Sequence, residues 1–290
     1  MFSYNRGSVM PYKIIRKNSL TSITHRIEII APMIAKRAKA GQFVVLRLSD
    51  TGERFPLTIS GTSVENGTIT LIFQEVGKSS SMLARIPEGG EILDLLGPLG
   101  TPSHIEKFGT VACVGGGYGN AVLLPVARAY KQGGNRVIMI VGFRTKDLII
   151  LEDELKAASD EYHLCTDDGS CGHHGFVTSK LDELIKAGCN LDFCMAIGPV
   201  PMMKAVCKVT EPCGIPTYVS LNPIMVDATG MCGVCRCTVG GEMKFACVDG
   251  PDFDGHKVDW EELQIRLKTY NKFEQEAMER YQKSIKEEGK

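Results

Sequence analysis

Twenty-one residues near the C-terminal end constrain this chain more than any others: Asp227 to Cys247, D-A-T-G-M-C-G-V-C-R-C-T-V-G-G-E-M-K-F-A-C. Asp227, Cys232 and Cys235 follow one another at x4 and x2 spacing, and Cys247 comes after eleven intervening residues. With aspartate in the first position, this is the C-x4-C-x2-C…C spacing that holds a 2Fe–2S cluster. Two ferric irons need four anionic ligands, and a carboxylate can replace one thiolate. Gly230 and Gly233 suit a loop folded closely over such a group, since glycine adopts backbone angles that other residues avoid. The run C-T-V-G-G-E-M-K-F-A-C predicts a hairpin turning at Gly240-Gly241, which returns Cys247 to the site.

The same residues admit other readings. Cys232, Cys235, Cys237 and Cys247 could ligate one structural zinc, because C-x2-C serves both metals. They could be unligated thiols in a core. Cys237 could also replace Asp227 as the fourth cluster ligand, since it shares a pleat face with Cys235. The rest of the chain has to discriminate among these.

At 290 residues the chain has room for two or three domains. With 43% hydrophobic and 23% charged residues it is composed like a soluble globular protein. A net charge of −1 offers no electrostatic footprint for nucleic acid. No apolar run reaches the ~18 residues of a membrane span. The first ten residues lack the apolar core of a signal peptide, and Met10 reads as a natural start. Eleven cysteines, an odd number scattered through the chain, do not make a disulfide framework and point to a reducing cytoplasm.

From residue 11 to 100 short β-rich segments alternate with Gly, Pro, Asn and Asp, which predicts an antiparallel barrel of about six strands. Within it, R54-F-P-L-T-I-S60 sets an arginine at a strand entrance, able to pair with a pyrophosphate, with hydroxyls beyond it for a ring edge. G77-K-S-S-S-M-L83 places glycine and serines at a helix N-terminus, where free N–H groups attract anions. The bland readings are a solvated arginine and an ordinary cap.

After Phe108 the periodicity changes. T-V-A-C-V, then G-G-G-Y-G, then N-A-V-L-L-P-V-A-R-A-Y-K, then R-V-I-M-I-V-G reads as strand, glycine turn, helix and strand, so a parallel sheet begins. A nucleotide pyrophosphate can approach such a turn closely. A helix is expected over L148-I-I-L-E-D-E-L-K-A157, a strand and the loop D167-D-G-S-C-G-H-H-G175 after it, and a last helix from Pro199 to Val209. His173 and His174 read as a solvated loop pair. From Trp260 the charged tail has helical spacing, with Leu263, Ile265, Leu267, Tyr270 and Phe273 as an apolar stripe packing on its own chain.

A flavin-type barrel, a nucleotide-binding sheet and a 2Fe–2S loop in that order resemble the ferredoxin–NADP reductase superfamily over almost the whole chain. The matching stretches are R54-F-P-L-T-I, G115-G-G, T166-D-D-G-S, I197-G-P and C247-V-D-G-P. S220-L-N-P-I-M-V-D-A-T-G-M-C-G-V-C is similar to the small subunits of NADH-dependent reduced ferredoxin:NADP oxidoreductases, also called sulfide dehydrogenase subunit beta. The electron-transfer subunits of dihydroorotate dehydrogenase B are cousins with four cysteines at the cluster. Two departures stand out. Relatives read G-x-A-P after the glycines, where this chain has G119-N-A-V122, and they carry an aliphatic residue at the position of Cys237.

The resemblance implies an FAD-binding barrel over residues 10–104, an NAD(P)-binding α/β domain over 105–218, a 2Fe–2S domain over 219–258 and a C-terminal helix over 259–290. It implies that Arg54, Pro56, Leu57 and Thr58 hold FAD, with Gly77, Lys78 and Ser79 near its phosphates. It places Gly115, Gly116, Gly117, Gly119, Gly142, Arg144, Asp167, Asp168, Gly198 and Pro199 around the nicotinamide nucleotide. Asp227, Cys232, Cys235 and Cys247 would hold the cluster. The implied partner is a larger flavin and iron–sulfur subunit like the glutamate synthase small subunit, in a complex coupling NAD(H), NADP(H) and ferredoxin. Two other functions compete: electron-transfer subunit of dihydroorotate dehydrogenase B, and, from a different class, a zinc-stabilised nucleotide-binding regulator.

Overall fold

The computed structural model describes residues 11–288. The expected start at Met10 and the absence of a signal segment fall outside them. The barrel is built from β1 (Tyr12–Ser19), β2 (Thr24–Ile30), β3 (Phe43–Arg47), β4 (Arg54–Ser63), β5 (Thr68–Gln74), β6 (Glu91–Ile92) and β7 (Asp94–Leu99), with helices α1 (Pro32–Arg37) and α2 (Lys78–Arg85) between strands. The sheet order is β6-β1-β2-β5-β4-β3-β7. The expected single strand over E-I-L-D-L-L is in fact two, β6 and β7, which pair with opposite edges. This break makes seven strands instead of six and brings the sheet nearly to closure, which shelters edges that would otherwise be unpaired.

The second layer follows in the order β8 (Thr110–Gly116), α3 (Gly119–Gln132), β9 (Arg136–Phe143), α4 (Glu152–Ala157), β10 (Glu161–Thr166), β11 (His173–His174), α5 (Val177–Lys186), β12 (Phe193–Ile197), α6 (Val200–Thr210) and β13 (Thr217–Ser220). Alternation decides the faces. Val111, Cys113, Val137 and Met139 pack with residues of α3 and α4, while Ala112, Val114, Ile138 and Ile140 pack with α5 and α6. A strand covered on both faces reads as a continuous apolar run, as T-V-A-C-V does. The helix expected from Leu148 starts only at Glu152, because Leu151 takes a left-handed φ of 59°. His173 and His174 form the short parallel strand β11 beside β10, with His173 Nε2 3.0 Å from Ser179 Oγ.

The final region contains β14 (Arg236–Val239), β15 (Glu242–Phe245), β16 (Asp252–Asp254), α7 (Trp260–Leu267) and α8 (Asn271–Glu288). Val239 pairs with Glu242 across Gly240 and Gly241, at φ 62° and 80°, so the hairpin turns where the sequence predicts. β16 adds antiparallel to β13, making this region an extension of the parallel sheet.

The charged tail is two helices rather than one. Leu263 is buried and Leu267 and Trp260 pack beside it, but Ile265, Tyr270 and Phe273 are exposed. The expected five-residue stripe mixes two faces: positions 263 and 267 lie one helical turn apart, whereas 265 points elsewhere. Arg266 anchors the end of α7 by donating from Nε to Arg236 O and from Nη2 to Val234 O. α8 then packs against α2 of the barrel.

The layers share their cores. Ile72 of β5 packs with the α3 face of the sheet, and Phe43 and Val45 of β3 with the opposite face and the cluster region. At this junction Ser103 Oγ donates to Asp252 Oδ2 at 2.5 Å, while Asp252 Oδ1 is buried without a partner. Burial pushes the Asp252 carboxyl up to about 6, with the Ser103 bond working in the opposite sense. The folded chain therefore holds this proton more tightly than the unfolded chain. The contribution is fully favourable below about pH 4 and lost as pH rises through about 6, a change on the order of 3 kcal/mol. Asp252→Asn should remove it, so the melting temperature of wild type should fall relative to the variant between pH 4.5 and 7.5. Parallel melting curves across that range would show an ordinary carboxyl at 252.

Candidate functional site

In the parallel sheet β8 has β9 on one side and β12 on the other. The order in which strands are added reverses between the parallel neighbours β8 and β12, and the carboxyl ends of strands at such a switch point form a ligand crevice. Gly115 lies opposite Ile197 there, and Gly116 opposite Gly142. The crevice continues into a cleft of about 740 Å³ between the sheet and the barrel, a size typical of small-molecule and cofactor sites.

The cleft brings together Gly116, Gly117, Gly119, Arg144, Gly198 and Pro199 from the sheet with Pro56, Leu57 and Thr58 from β4. The other sequence candidates lie around it. Gly115 and Gly142 lie outside its lining, in the sheet beside Ile197 and Gly116, which do line it. Asp167 and Asp168 stand on the adjoining loop, their N–H groups bonded to the carbonyls of Phe143 and Arg144. The hydroxyl and N–H of Ser170 hold the Asp168 carboxyl below its ordinary range. Gly117 has a φ of 53° and open space where a Cβ would be, so its backbone is accessible from the cleft.

On the barrel side Arg54 is exposed at the start of β4, and Ser60 is buried with its hydroxyl unpartnered. Val76 lines the cleft just before α2. Ser80 Oγ accepts from the N–H groups of Val76 and Gly77, and the first helical bond runs from Ser81 N to Gly77 O. The N–H groups of Lys78 and Ser79 therefore precede the helical ladder and suit an anion. Glu53 contacts the side chains of the same two residues, with Oε1 3.8 Å from Lys78 Nζ and Oε2 accepting from Ser79 Oγ at 2.8 Å. These are surface contacts, which a phosphate can displace at little cost.

The cluster loop leaves β13 and passes the cleft at Leu221, Asn222 and Met225. Ala228 is left-handed at φ 58°, followed by Gly230 at 83° and Gly233 at 66°. Three such turns in six residues wrap the segment into a tight loop. Asp227 accepts from Thr229 N at 2.9 Å through one oxygen and from Cys232 N at 3.1 Å through the other. These N–H groups, Thr229 first, hold its carboxyl below the ordinary range, so it is an anion at neutral pH. Cys235 and Cys247 are buried with their sulfurs 3.2 Å apart.

The four candidates thus fall into two pairs, Asp227 with Cys232 and Cys235 with Cys247. Two pairs of anionic donors fit a two-iron cluster, one pair for each iron. Among the described residues no three such side chains converge closely enough for a single metal ion. Cys237 lies within β14, buried, its thiol 3.8 Å from Lys244 O and pushed up to about 12 by burial. Burial pushes the Cys247 thiol up to about 12 as well, so what distinguishes Cys237 is its place within β14 rather than its titration.

Sequence reasoning missed several residues that build the site. Tyr118 lines the cleft and donates from its hydroxyl to Ile72 O at 2.7 Å, tying the glycine turn to the barrel. Nothing in the G-G-G-Y-G pattern shows that bond, because its acceptor is 46 residues away in sequence. Phe43, Ser220 and Pro251 also line the cleft. Ser220 and Leu221 could have been found as the last residue of a parallel strand and the one after it.

The iron–sulfur cluster binding domain of dihydroorotate dehydrogenase B matches residues 222–259. A dihydroorotate dehydrogenase B (NAD(+)) electron transfer subunit homolog of Thermotoga maritima is 47% identical, over 97% of this chain and 99% of its own length. The electron transfer subunit of dihydroorotate dehydrogenase B from Fusobacterium nucleatum subsp. nucleatum is 34% identical, over 79% of this chain and 90% of its own. A solved NADH-dependent reduced ferredoxin-NADP oxidoreductase structure superposes with a TM-score of 0.89 at 45% identity, over 95% of this chain and 99% of that one. With cleft, glycine turn and cluster loop in the same arrangement of domains, the chain belongs to the ferredoxin-reductase-like family of dihydroorotate dehydrogenase B electron-transfer subunits and their homologues.

Proposed function

We propose that this chain carries electrons between NAD(H), FAD and a 2Fe–2S cluster, and exchanges them with a larger flavin and iron–sulfur partner. The observation that carries the reading is that one cleft is lined by the barrel strand β4, the glycine turn and both flanks of the cluster loop. Met225 is two residues before Asp227, and Pro251 four residues after Cys247. A bound flavin would accept two electrons as hydride and release them singly to a one-electron cluster.

In this reading Arg54, Pro56, Leu57 and Thr58 hold the flavin, and Gly77, Lys78 and Ser79 its phosphates. Gly115, Gly116, Gly117, Gly119, Gly142, Arg144, Asp167, Asp168, Gly198 and Pro199 form the NAD(P) site. Asp227, Cys232, Cys235 and Cys247 ligate the cluster. No side chain is assigned as general acid or base. We divide the chain into flavin, nucleotide and cluster domains at residues 104 and 218, with a helical tail from 259. Among the described residues no helix is long and apolar enough to cross a membrane, and we place the protein in the cytoplasm.

We assign the partner to the class of the glutamate synthase small subunit, in a complex that couples NAD(H), NADP(H) and ferredoxin. Support comes from the aspartate at position 227 and from the near-complete coverage of the ferredoxin-NADP oxidoreductase chain at 45% identity; identity does not divide the readings, since the Thermotoga maritima homolog is 47% identical. The second reading, electron transfer to a dihydroorotate dehydrogenase, is favoured by the match of residues 222–259 to that enzyme's cluster domain. Affinity purification of the chain from its own cells separates the two. A flavin and iron–sulfur oxidoreductase should co-purify, and recovery of a dihydroorotate dehydrogenase instead would establish the second reading.

Anaerobically purified protein should show flavin and broad cluster absorbance with about two irons per chain. Zinc without iron and no chromophore would refute the electron-transfer reading and support the nucleotide-binding regulator. Asp227→Ala should lose most of the iron while Cys237→Ala keeps it. Equal iron in Asp227→Ala and wild type would remove aspartate from the ligand set.

A further inference from the structure

Asn120 takes the unrestricted x position of the G-x-A-P run, whose proline is Val122 in this chain; it is the second residue of α3 and is 0% exposed. Its side chain folds beneath the glycine turn. Nδ2 donates to Gly117 O at 3.0 Å and to Gly142 O at 3.3 Å. Gly142 O also accepts from Gly117 N at 2.8 Å. One amide therefore ties the turn after β8 to the end of β9, the two backbone stretches that border the nucleotide side of the cleft.

The other end of the amide has no partner. Asn120 Oδ1 is buried and unbonded, and a Cβ at Gly115 would lie 1.9 Å from it. Gly115 is thus matched to Asn120: the glycine leaves the space that the amide fills. For stability alone an aliphatic side chain would be better here, because an orphaned buried carbonyl oxygen is unfavourable. What the asparagine supplies instead is control over two backbone carbonyls. Both turn their negative ends toward Nδ2, away from any anionic phosphate on the cleft side of the turn.

We propose that Asn120 is a positioning residue for the nicotinamide nucleotide, setting its affinity by fixing the Gly117 and Gly142 peptides in one frame. This inference rests on the assignment of the glycine turn to the NAD(P) site. The test uses the full chain with its flavin and cluster loaded, following flavin reduction by NADH and by NADPH in a stopped-flow instrument. Asn120→Leu should raise the apparent Kd of the preferred nucleotide about tenfold, the effect of losing a short hydrogen-bond bridge. The limiting reduction rate should stay within about twofold, and flavin content, iron content and melting temperature should match or exceed wild type. A merely structural role would do the reverse, lowering melting temperature and flavin content while leaving Kd unchanged. Asn120→Ala provides the same comparison if the leucine variant does not accumulate. Wild-type Kd in both variants would overturn the inference alone. Failure of either nucleotide to reduce the wild-type flavin would overturn the parent reading and this inference together.

Discussion

A Cβ on Gly119 would lie 2.4 Å from the carbonyl oxygen of Ile197 and 2.7 Å from the Cα of Gly198, so α3 can start where it does only because residue 119 has no side chain. That close approach brings the start of α3 onto the end of β12, at the point where the strand order reverses. Gly116 is packed more softly, since a Cβ there would meet Met202 Sδ at 2.4 Å and Pro199 Cδ at 3.2 Å, both side-chain atoms. With the turn held against β12, its outer surface forms one wall of the cleft. Tyr118, bonded to Ile72 O, then fixes the barrel as the opposite wall.

The cluster loop is mounted on this frame by its own hydrogen bonds. Thr101 donates from N to Gly250 O at 2.7 Å and from Oγ1 to Val248 O at 2.9 Å. Leu221 N donates to Pro251 O at 2.9 Å, and Ser103 to Asp252. The segment after Cys247 is therefore bonded both to the exit of the barrel and to the end of β13. Each such bond contributes only about 1 kcal/mol net, but together they leave the segment little freedom. Cys247 is consequently held at a set distance from Phe43, Thr58 and Pro251, which line the cleft. For one-electron transfer between two cofactors, a fixed separation is the property the protein itself has to supply.

Much of the site was legible because the chemistry needs short, local patterns. The x4 and x2 spacing works through a single loop, and the Gly240-Gly241 turn works through two left-handed residues. The glycine turn announced a βαβ unit because strand, turn and helix are contiguous. The tail misled because its apolar residues were read as one stripe, whereas the anchoring of Arg266 to Val234 and Arg236 ends α7 and sends α8 toward α2. The split of β6 from β7 escaped for a similar reason: the six-residue segment E-I-L-D-L-L does not show that its halves pair with opposite barrel edges.

By itself the sequence determined the chemistry on offer: a loop of candidate metal-ligating side chains, a glycine turn open to a close backbone approach, and alternating strands for a barrel and a parallel sheet. These depend on residue type and spacing within a few positions, where covalent connectivity sets geometry. Only the tertiary structure decided which candidates share a space. It set Cys237 within β14 with its thiol near Lys244 O, paired Asp227 with Cys232 and Cys235 with Cys247, and placed Asn120 under Gly115. Those outcomes depend on contacts between residues distant in the chain or on the rotamer a buried side chain takes, and both are set by packing rather than by local pattern.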